Sequence, residues 1–247
     1  MINNYNLLSK FYDIVYSRKP YKKELLYIKK LLTRSNFSNI LEFGCGTGNY
    51  TKWINNIFSA SELVAVDNNK NMLAFAKKKK INANFIYGNL VNFQYDKKFD
   101  IIFCLFHVIN YISSKKDLKK FFFNAHKLLN DDGFLVFDFL DLQSVSDTKP
   151  KNKKKKFKFE NKKVTRITSS TLEKKNNIIK INHNYIVENK NKIDQYNDKF
   201  NLKFIDINFI KKIIINKFII CYNYEWLSFK KPSKNNWSSI LVLKKIK

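Results

Sequence analysis

Between residues 39 and 139, short apolar runs repeatedly give way to stretches with helical spacing, and this alternation narrows the possible folds more than any other feature. The runs at 39–43, 62–66, 84–87, 100–106 and 134–139 have the length of strands. The run at 100–106 is apolar on both faces, as a central parallel strand is. Residues 70–80 carry Met72, Leu73 and Phe75 at helical intervals. Residues 117–129 do the same with Leu118, Phe121, Phe122, Ala125 and Leu128. Strand and helix in turn predict an α/β fold with a doubly wound sheet. Two further helical patterns precede it. One covers 4–16, with Leu7, Leu8, Phe11 and Val15, and the other follows Pro20, with Leu25, Leu26, Ile28, Leu31 and Leu32.

After Asp141 the texture changes. Runs at 164–170, 178–187 and 200–205 alternate in polarity and predict a small antiparallel β insertion. The lysine run Lys153–Lys156 reads as a solvated turn, because like charges repel. A helix over 207–215 and strands over 218–226 and 238–244 complete the chain. The expected organisation is a sheet domain from 1–141 and 206–247, with an insertion from 142–205.

The formal net charge of +27 invites a polyanion partner. The chain has only Arg18, Arg34 and Arg166 as arginines, and Asn, Ile, Lys, Phe and Tyr abound throughout. That is the signature of AT-rich coding. A selected nucleic-acid site uses arginine forks, so the reading disfavours nucleic acid. Cys45, Cys104 and Cys221 are too widely spaced for a disulfide framework or a zinc site. No apolar run reaches membrane-spanning length, and Met1–Tyr5 does not resemble a secretory signal. The expectation is a cytoplasmic monomer or homodimer.

Glu42-Phe43-Gly44-Cys45-Gly46-Thr47-Gly48 sits where the first strand meets a helix. Glycines there let the backbone turn tightly and approach a ligand, and a helix N-terminus offers free N–H donors. Asn49 stands where a dinucleotide fingerprint wants its third glycine, and Glu42 suits a cationic ligand better than a pyrophosphate. Asp67 ends the second strand, where a carboxylate can accept both ribose hydroxyls. The competing readings are a structural turn for the loop and a helix cap for Asp67.

Residues 41–49, 64–76, 87–90, 99–106 and 128–139 together resemble the successive motifs of class I S-adenosylmethionine (SAM)-dependent methyltransferases. The resemblance implies a Rossmann-like seven-stranded sheet of order 3-2-1-4-5-7-6 with the seventh strand antiparallel. It implies that Gly44, Gly46 and Gly48 wrap the methionine moiety, Asp67 binds the ribose, and Asn89 and Leu90 flank the adenine. Glu42, Cys45, Asn68, Met72 and Phe106 complete the expected cofactor set. The family usually has Gly-Asp at the end of the third strand, and this chain has Gly88-Asn89. An Asn carbonyl can still accept from an adenine amino group. Phe11-Tyr12-Asp13-Ile14-Val15-Tyr16, Phe106-His107-Val108-Ile109-Asn110-Tyr111, Val164-Thr165-Arg166 and Tyr224-Glu225-Trp226-Leu227 with Trp237 resemble one subgroup. Its members act in sugar and surface-glycan pathways, and are similar to N,N-dimethyltransferases of nucleotide-linked amino sugars. This likeness implies that Tyr12 and Tyr16 line a lid over SAM, and that the insertion shapes the acceptor pocket.

The implied reaction moves a methyl group from SAM to N or O of a small-molecule acceptor and leaves S-adenosylhomocysteine. The acceptor class is a nucleotide-linked sugar or another glycan precursor, so an anionic, phosphate-bearing acceptor fits. Alignment alone supplies roughly 7–11 kcal/mol of barrier in such displacements. A base is needed only where the acceptor must lose a proton. His107 and Tyr111, just after the fourth strand, and His183 in the insertion are the candidate catalytic residues. For each, packing is the alternative role, and His126 reads as structural. No cluster has metal-ligand spacing, so no metal is expected. Two other functions compete. A nucleic-acid methyltransferase is favoured only by the charge, and Cys104-Leu105-Phe106-His107 lacks the prolines of base methyltransferases. The other is a non-catalytic SAM-binding protein.

Overall fold

The computed structural model describes residues 9, 11–33, 36–145, 150, 152–159, 162–189, 192–234 and 236–246. Contacts divide the chain into two units, 1–19 with 147–203 and 20–146 with 204–247.

The larger unit contains the predicted sheet. Its strands are β1 (Asn39–Phe43), β2 (Glu62–Asp67), β3 (Asn84–Tyr87), β4 (Phe99–Cys104), β5 (Leu129–Leu140), β10 (Phe218–Glu225) and β11 (Ser238–Lys245), numbered with those of the other unit. They lie in the order β3-β2-β1-β4-β5-β11-β10. Neighbours from β3 to β5 are parallel, and β11 runs antiparallel to both β5 and β10. With β10 and β11 as sixth and seventh strands of this sheet, the order is the expected 3-2-1-4-5-7-6. Every residue of β4 is buried, as its two-sided apolar pattern requires.

Helices cover both faces. α5 (Lys115–Leu128) and α6 (Ile207–Ile214) pack Phe121, Phe122, Ile210 and Ile214 against Phe43, Ile102 and Phe137. On the opposite side the ring of Phe58, which ends α3 (Asn49–Phe58), lies 5.3 Å from that of Phe103. α2 (Tyr21–Leu31) packs on α3, and α4 (Lys70–Lys78) follows β2. Ser114 caps α5 by accepting from the N–H of Asp117. Ser114→Ala is expected to lower stability by about 1 kcal/mol in a denaturant titration.

Asp131-Asp132-Gly133 lies within β5, where the β4–β5 register jumps from Phe99 opposite Leu129 to Ile101 opposite Phe134. The insertion leaves and re-enters the sheet at one point. Ile205 N donates to Leu140 O, and Leu142 N donates to Ile205 O, each at 2.9 Å.

The smaller unit is a four-stranded antiparallel meander of β6 (Lys153–Phe159), β7 (Lys162–Glu173), β8 (Ile178–Asn189) and β9 (Lys192–Lys203). The lysine run is therefore a strand and not a turn. Lys153–Lys156 are exposed on β6, which among the described residues pairs only with β7. Charge on an edge strand keeps other chains from pairing with it, which reconciles the run with a strand. α1 (Tyr12–Val15) packs on β6, and the ring of Phe11 lies 5.6 Å from that of Tyr196. These contacts group the described residues of 1–19 with the meander, whereas the sequence reading placed them with the sheet. The predicted helical positions Leu7 and Leu8 lie outside the described residues.

Candidate active site

The carboxyl ends of β1, β2 and β4 gather the expected cofactor loop. Gly44 N and Cys45 N both donate to Val66 O, at 2.7 and 3.1 Å, which ties the loop to β2. Gly46 N donates to Asp67 Oδ2 at 2.8 Å, and Asn69 N donates to Asp67 Oδ1 at 2.8 Å. Each carboxylate oxygen has a second lone pair, so Asp67 can hold the loop and still accept ribose hydroxyls. Burial pushes its carboxyl up, opposed by the N–H groups of Gly46, Asn69 and Asn68.

The glycines of the loop do different work. Gly44 and Gly46 both have left-handed φ, +71° and +55°. A Cβ on Gly44 would lie 2.4 Å from Cγ2 of Val108, so its missing side chain makes room for the turn after β4. A Cβ on Gly46 would have nothing within 4 Å. Gly46 thus presents bare backbone to open space, which is the cradle a ligand needs.

Glu42 is buried directly beneath this loop, and Thr51 Oγ1 on α3 donates to its Oε2 at 2.6 Å. Burial pushes its carboxyl up to about 8, and the charge of Asp67 adds to the rise. Cys45 and Cys104 both feel the charge of Glu42. The Asp67 carboxylate, a Glu42 carboxyl that a bound cation can ionise and an open glycine fit a ligand that carries cations and a ribose. The charge of Asp67 would repel a pyrophosphate at the same place.

The other expected cofactor residues surround the β2 and β3 ends. Asn68 is exposed, and Met72 is buried on α4. Asn89 Oδ1 accepts from Val91 N at 2.9 Å, so this carbonyl shapes a local turn as well as offering a lone pair. Leu90 packs against the main core.

After β4, Phe106 and His107 both adopt left-handed φ, +68° and +59°. Two successive side-chain-bearing residues in that region store strain, which tends to gather at functional sites. A buried carboxylate holds the turn. His107 N lies 3.2 Å from both Oδ1 and Oδ2 of Asp138, near the carboxyl end of β5. His107 Nε2 lies 2.9 Å from Ser238 Oγ on β11 and 3.4 Å from Asp138 Oδ2. Asp138 and Ser238 were not singled out in the sequence. The one available signal was an acid between Phe137 and Phe139 in an otherwise apolar strand. Tyr111 ends the 3₁₀ turn Val108–Tyr111 and is partly exposed.

Tyr12, Tyr16 and His183 belong to the smaller unit. The Arg166 guanidinium lies 5.3 Å from the Tyr16 ring centre. His183 is buried on β8, with Nδ1 2.9 Å from Thr168 Oγ1. Burial and the charge of Arg166 push its imidazole down to about 4, so it is neutral at neutral pH. Its surroundings are those of a packed ring. No helix among the described residues is long and apolar enough to cross a membrane, and no metal-sized group of His, Cys, Asp and Glu gathers among them.

Residues 40–133 match a family described as "Methyltransferase domain". The malonyl-[acyl-carrier protein] O-methyltransferase 2 of Ilyobacter polytropus is 35% identical over 102 residues, 40% of this chain and 38% of its own. The dTDP-3-amino-3,6-dideoxy-alpha-D-glucopyranose N,N-dimethyltransferase of Streptomyces fradiae is 25% identical over 137 residues, 53% of this chain and 52% of its own. The chain spans between about a third and just over half of the length of the curated relatives it first matches. The SAM-bound structure of CalS10, an amino pentose methyltransferase from Micromonospora echinaspora, superposes with a TM-score of 0.75 at 16% identity. It covers 95% of this chain and 96% of that one.

Proposed function

We propose that this chain, whose residues 40–133 form a methyltransferase domain on a Rossmann-like fold, transfers the methyl group of SAM to a small-molecule acceptor. The observation that carries the reading is the open backbone of Gly46 held by Asp67 above the buried Glu42. SAM, when bound, supplies a methyl group already activated on a sulfonium. Asp67 accepts ribose hydroxyls, and Glu42 provides the charge that a cationic ligand needs. His107, fixed by Asp138 and Ser238, takes the proton that the acceptor must lose.

The two relatives named above act on unlike acceptors, so sequence likeness favours the cofactor chemistry and leaves the acceptor open. An amino sugar linked to a nucleotide is the acceptor we favour. It matches the subgroup motifs at residues 11–16 and 106–111, and the fold shared with an amino pentose methyltransferase over nearly the whole chain.

Purified protein given methyl-labelled SAM and a panel of nucleotide-linked amino sugars is expected to label at least one of them. Label in none of them, with SAM bound normally, rejects this acceptor class, and absence of SAM binding rejects the cofactor reading itself. With the labelled acceptor, His107→Ala is expected to lower kcat by about 10²-fold and to leave SAM affinity within a few-fold. Tyr111→Phe should change turnover less, because a phenol with a pKa of about 10 orients an acceptor more readily than it deprotonates one. Wild-type kcat in the His107 variant would remove the base from the mechanism.

A further inference from the structure

Within the larger unit a carboxylate and an imidazole lie side by side, one sealed from water and the other open to it. The Asp138 side chain is 2% exposed and that of His107 is 24% exposed. A solute can reach the imidazole, and the carboxylate can act on that solute only through it. His107 Nε2 lies 3.4 Å from Asp138 Oδ2 and 2.9 Å from Ser238 Oγ. The backbone N–H of His107 also donates to the Asp138 oxygens, which holds the residue against the carboxylate.

Two further titratable groups feel the charge of Asp138. Burial pushes the Cys104 thiol on β4 well up, and the charge of Asp138 adds to the rise. Burial also pushes the Tyr50 phenol on α3 well up, with the charges of Glu24 and then Asp138 adding to it. Both keep their protons at neutral pH, and neither can become a cation. Tyr50 donates its hydroxyl proton to Glu24 on α2, itself a buried acid. Of the groups named, His107 is the one that can turn positive. A buried carboxylate at this distance favours the charged form of such a partner.

We infer that Asp138 is the positioning residue of a carboxylate–imidazole pair, fixing the Nε2–H tautomer of His107 and stabilising its imidazolium. This goes beyond holding the turn, and it rests on the proposed role of His107 as base. With a proton on Nε2, the lone pair that can take another is on Nδ1. An ammonium acceptor gives its proton to Nδ1, and the electron pair of the broken N–H bond stays on the acceptor nitrogen. That pair bonds to the methyl carbon of SAM as the carbon–sulfur bond breaks, with the bonding pair left on sulfur. The imidazolium then returns its proton to water. Asp138 keeps its charge throughout and acts only on His107.

The test reads the ring directly. The chain has three histidines, so the imidazole nitrogens of the isotope-labelled full chain can be followed by nuclear magnetic resonance, with His107→Gln identifying the signal concerned. The deprotonated ring is expected as the Nε2–H tautomer. Its titration midpoint should lie about one pH unit or more higher in the wild type than in Asp138→Asn, a tenfold difference in proton affinity. Ser238→Ala, which keeps the carboxylate, should move the midpoint less. With methyl-labelled SAM and an amino sugar that accepts label, Asp138→Asn should lower kcat about tenfold or more and leave KM within a few-fold. The acid limb of its kcat profile should move to lower pH by the same unit, which a merely structural loss would not do. An Nδ1–H tautomer in the wild type, equal midpoints in the wild type and Asp138→Asn, or a larger shift in Ser238→Ala overturns the inference. The tautomer is read in the wild type alone, so a misfolded Asp138→Asn leaves the test standing. The titration needs neither SAM nor acceptor. Equal midpoints with kcat lost in His107→Ala would therefore keep the base and remove Asp138 alone.

Discussion

Gly46→Val is expected to abolish SAM binding while the chain stays folded. The backbone of Gly46 is left-handed at +55°, and a Cβ there meets nothing within 4 Å. A valine can therefore be accommodated by the protein itself at the conformational cost of a left-handed residue, about 1–2 kcal/mol. Its side chain then stands in the space a ligand must enter. Micromolar SAM binding corresponds to about −8 kcal/mol, and a steric block at the cradle should weaken it beyond calorimetric detection, about 100-fold or more. Gly44→Ala is the contrasting variant. Its Cβ would collide with Val108 at 2.4 and 2.6 Å, so it should unsettle the turn that holds His107 and lower the melting temperature. Calorimetry and thermal melts on both proteins separate the two roles. Wild-type SAM affinity in folded Gly46→Val would sink the assignment of the cradle.

SAM binding should also release a proton, and Glu42→Gln should remove that release. The Glu42 carboxyl, pushed up to about 8 by burial, holds its proton at pH 7 when no ligand is present. A cation bound nearby favours the ionised form, so the bound protein has the lower Glu42 pKa. SAM affinity must then rise with pH, by up to about tenfold per unit, and level off above about 8. Gln keeps an oxygen for the Thr51 hydroxyl and cannot titrate. The amino group of SAM also titrates in this range, so the difference between the two proteins isolates Glu42. Binding enthalpies in buffers of unlike ionisation heat count the protons directly. Equal counts in wild type and Glu42→Gln would refute the linkage.

The same shift fixes the sign of a stability effect. The folded pKa lies above the ordinary value of 4.5, so this contribution is whole below about 4.5 and is lost as pH rises through about 8. The ligand-free melting temperature should fall across that window, and Glu42→Gln should flatten the fall.

Much of this protein was legible in its sequence because the relevant physics is local. A strand such as β4, buried on both faces, must be apolar at every position, and a helix such as α5 must place Leu118, Phe121, Phe122, Ala125 and Leu128 on one side. The glycine loop is equally local, since left-handed backbone at Gly44, Gly46 and Gly48 is what glycine permits cheaply. The alternation of these elements argues for a doubly wound sheet, and the family resemblance implied the strand order that the structure has. Periodicity failed at Lys153–Lys156, because an edge strand hydrogen-bonds through its backbone while its side chains remain in water.

What only the tertiary structure decided is which distant side chains meet. Asp138 lies 31 positions and Ser238 131 positions from the His107 they hold. The different duties of Gly44 and Gly46 depend on Val108, which no spacing rule ties to either. The burial of Asp198 and Tyr185 is likewise decided only by how β8 and β9 pair and pack. Element type depends on neighbours three or four residues away, whereas a site depends on partners that the chain brings together only when its core is packed.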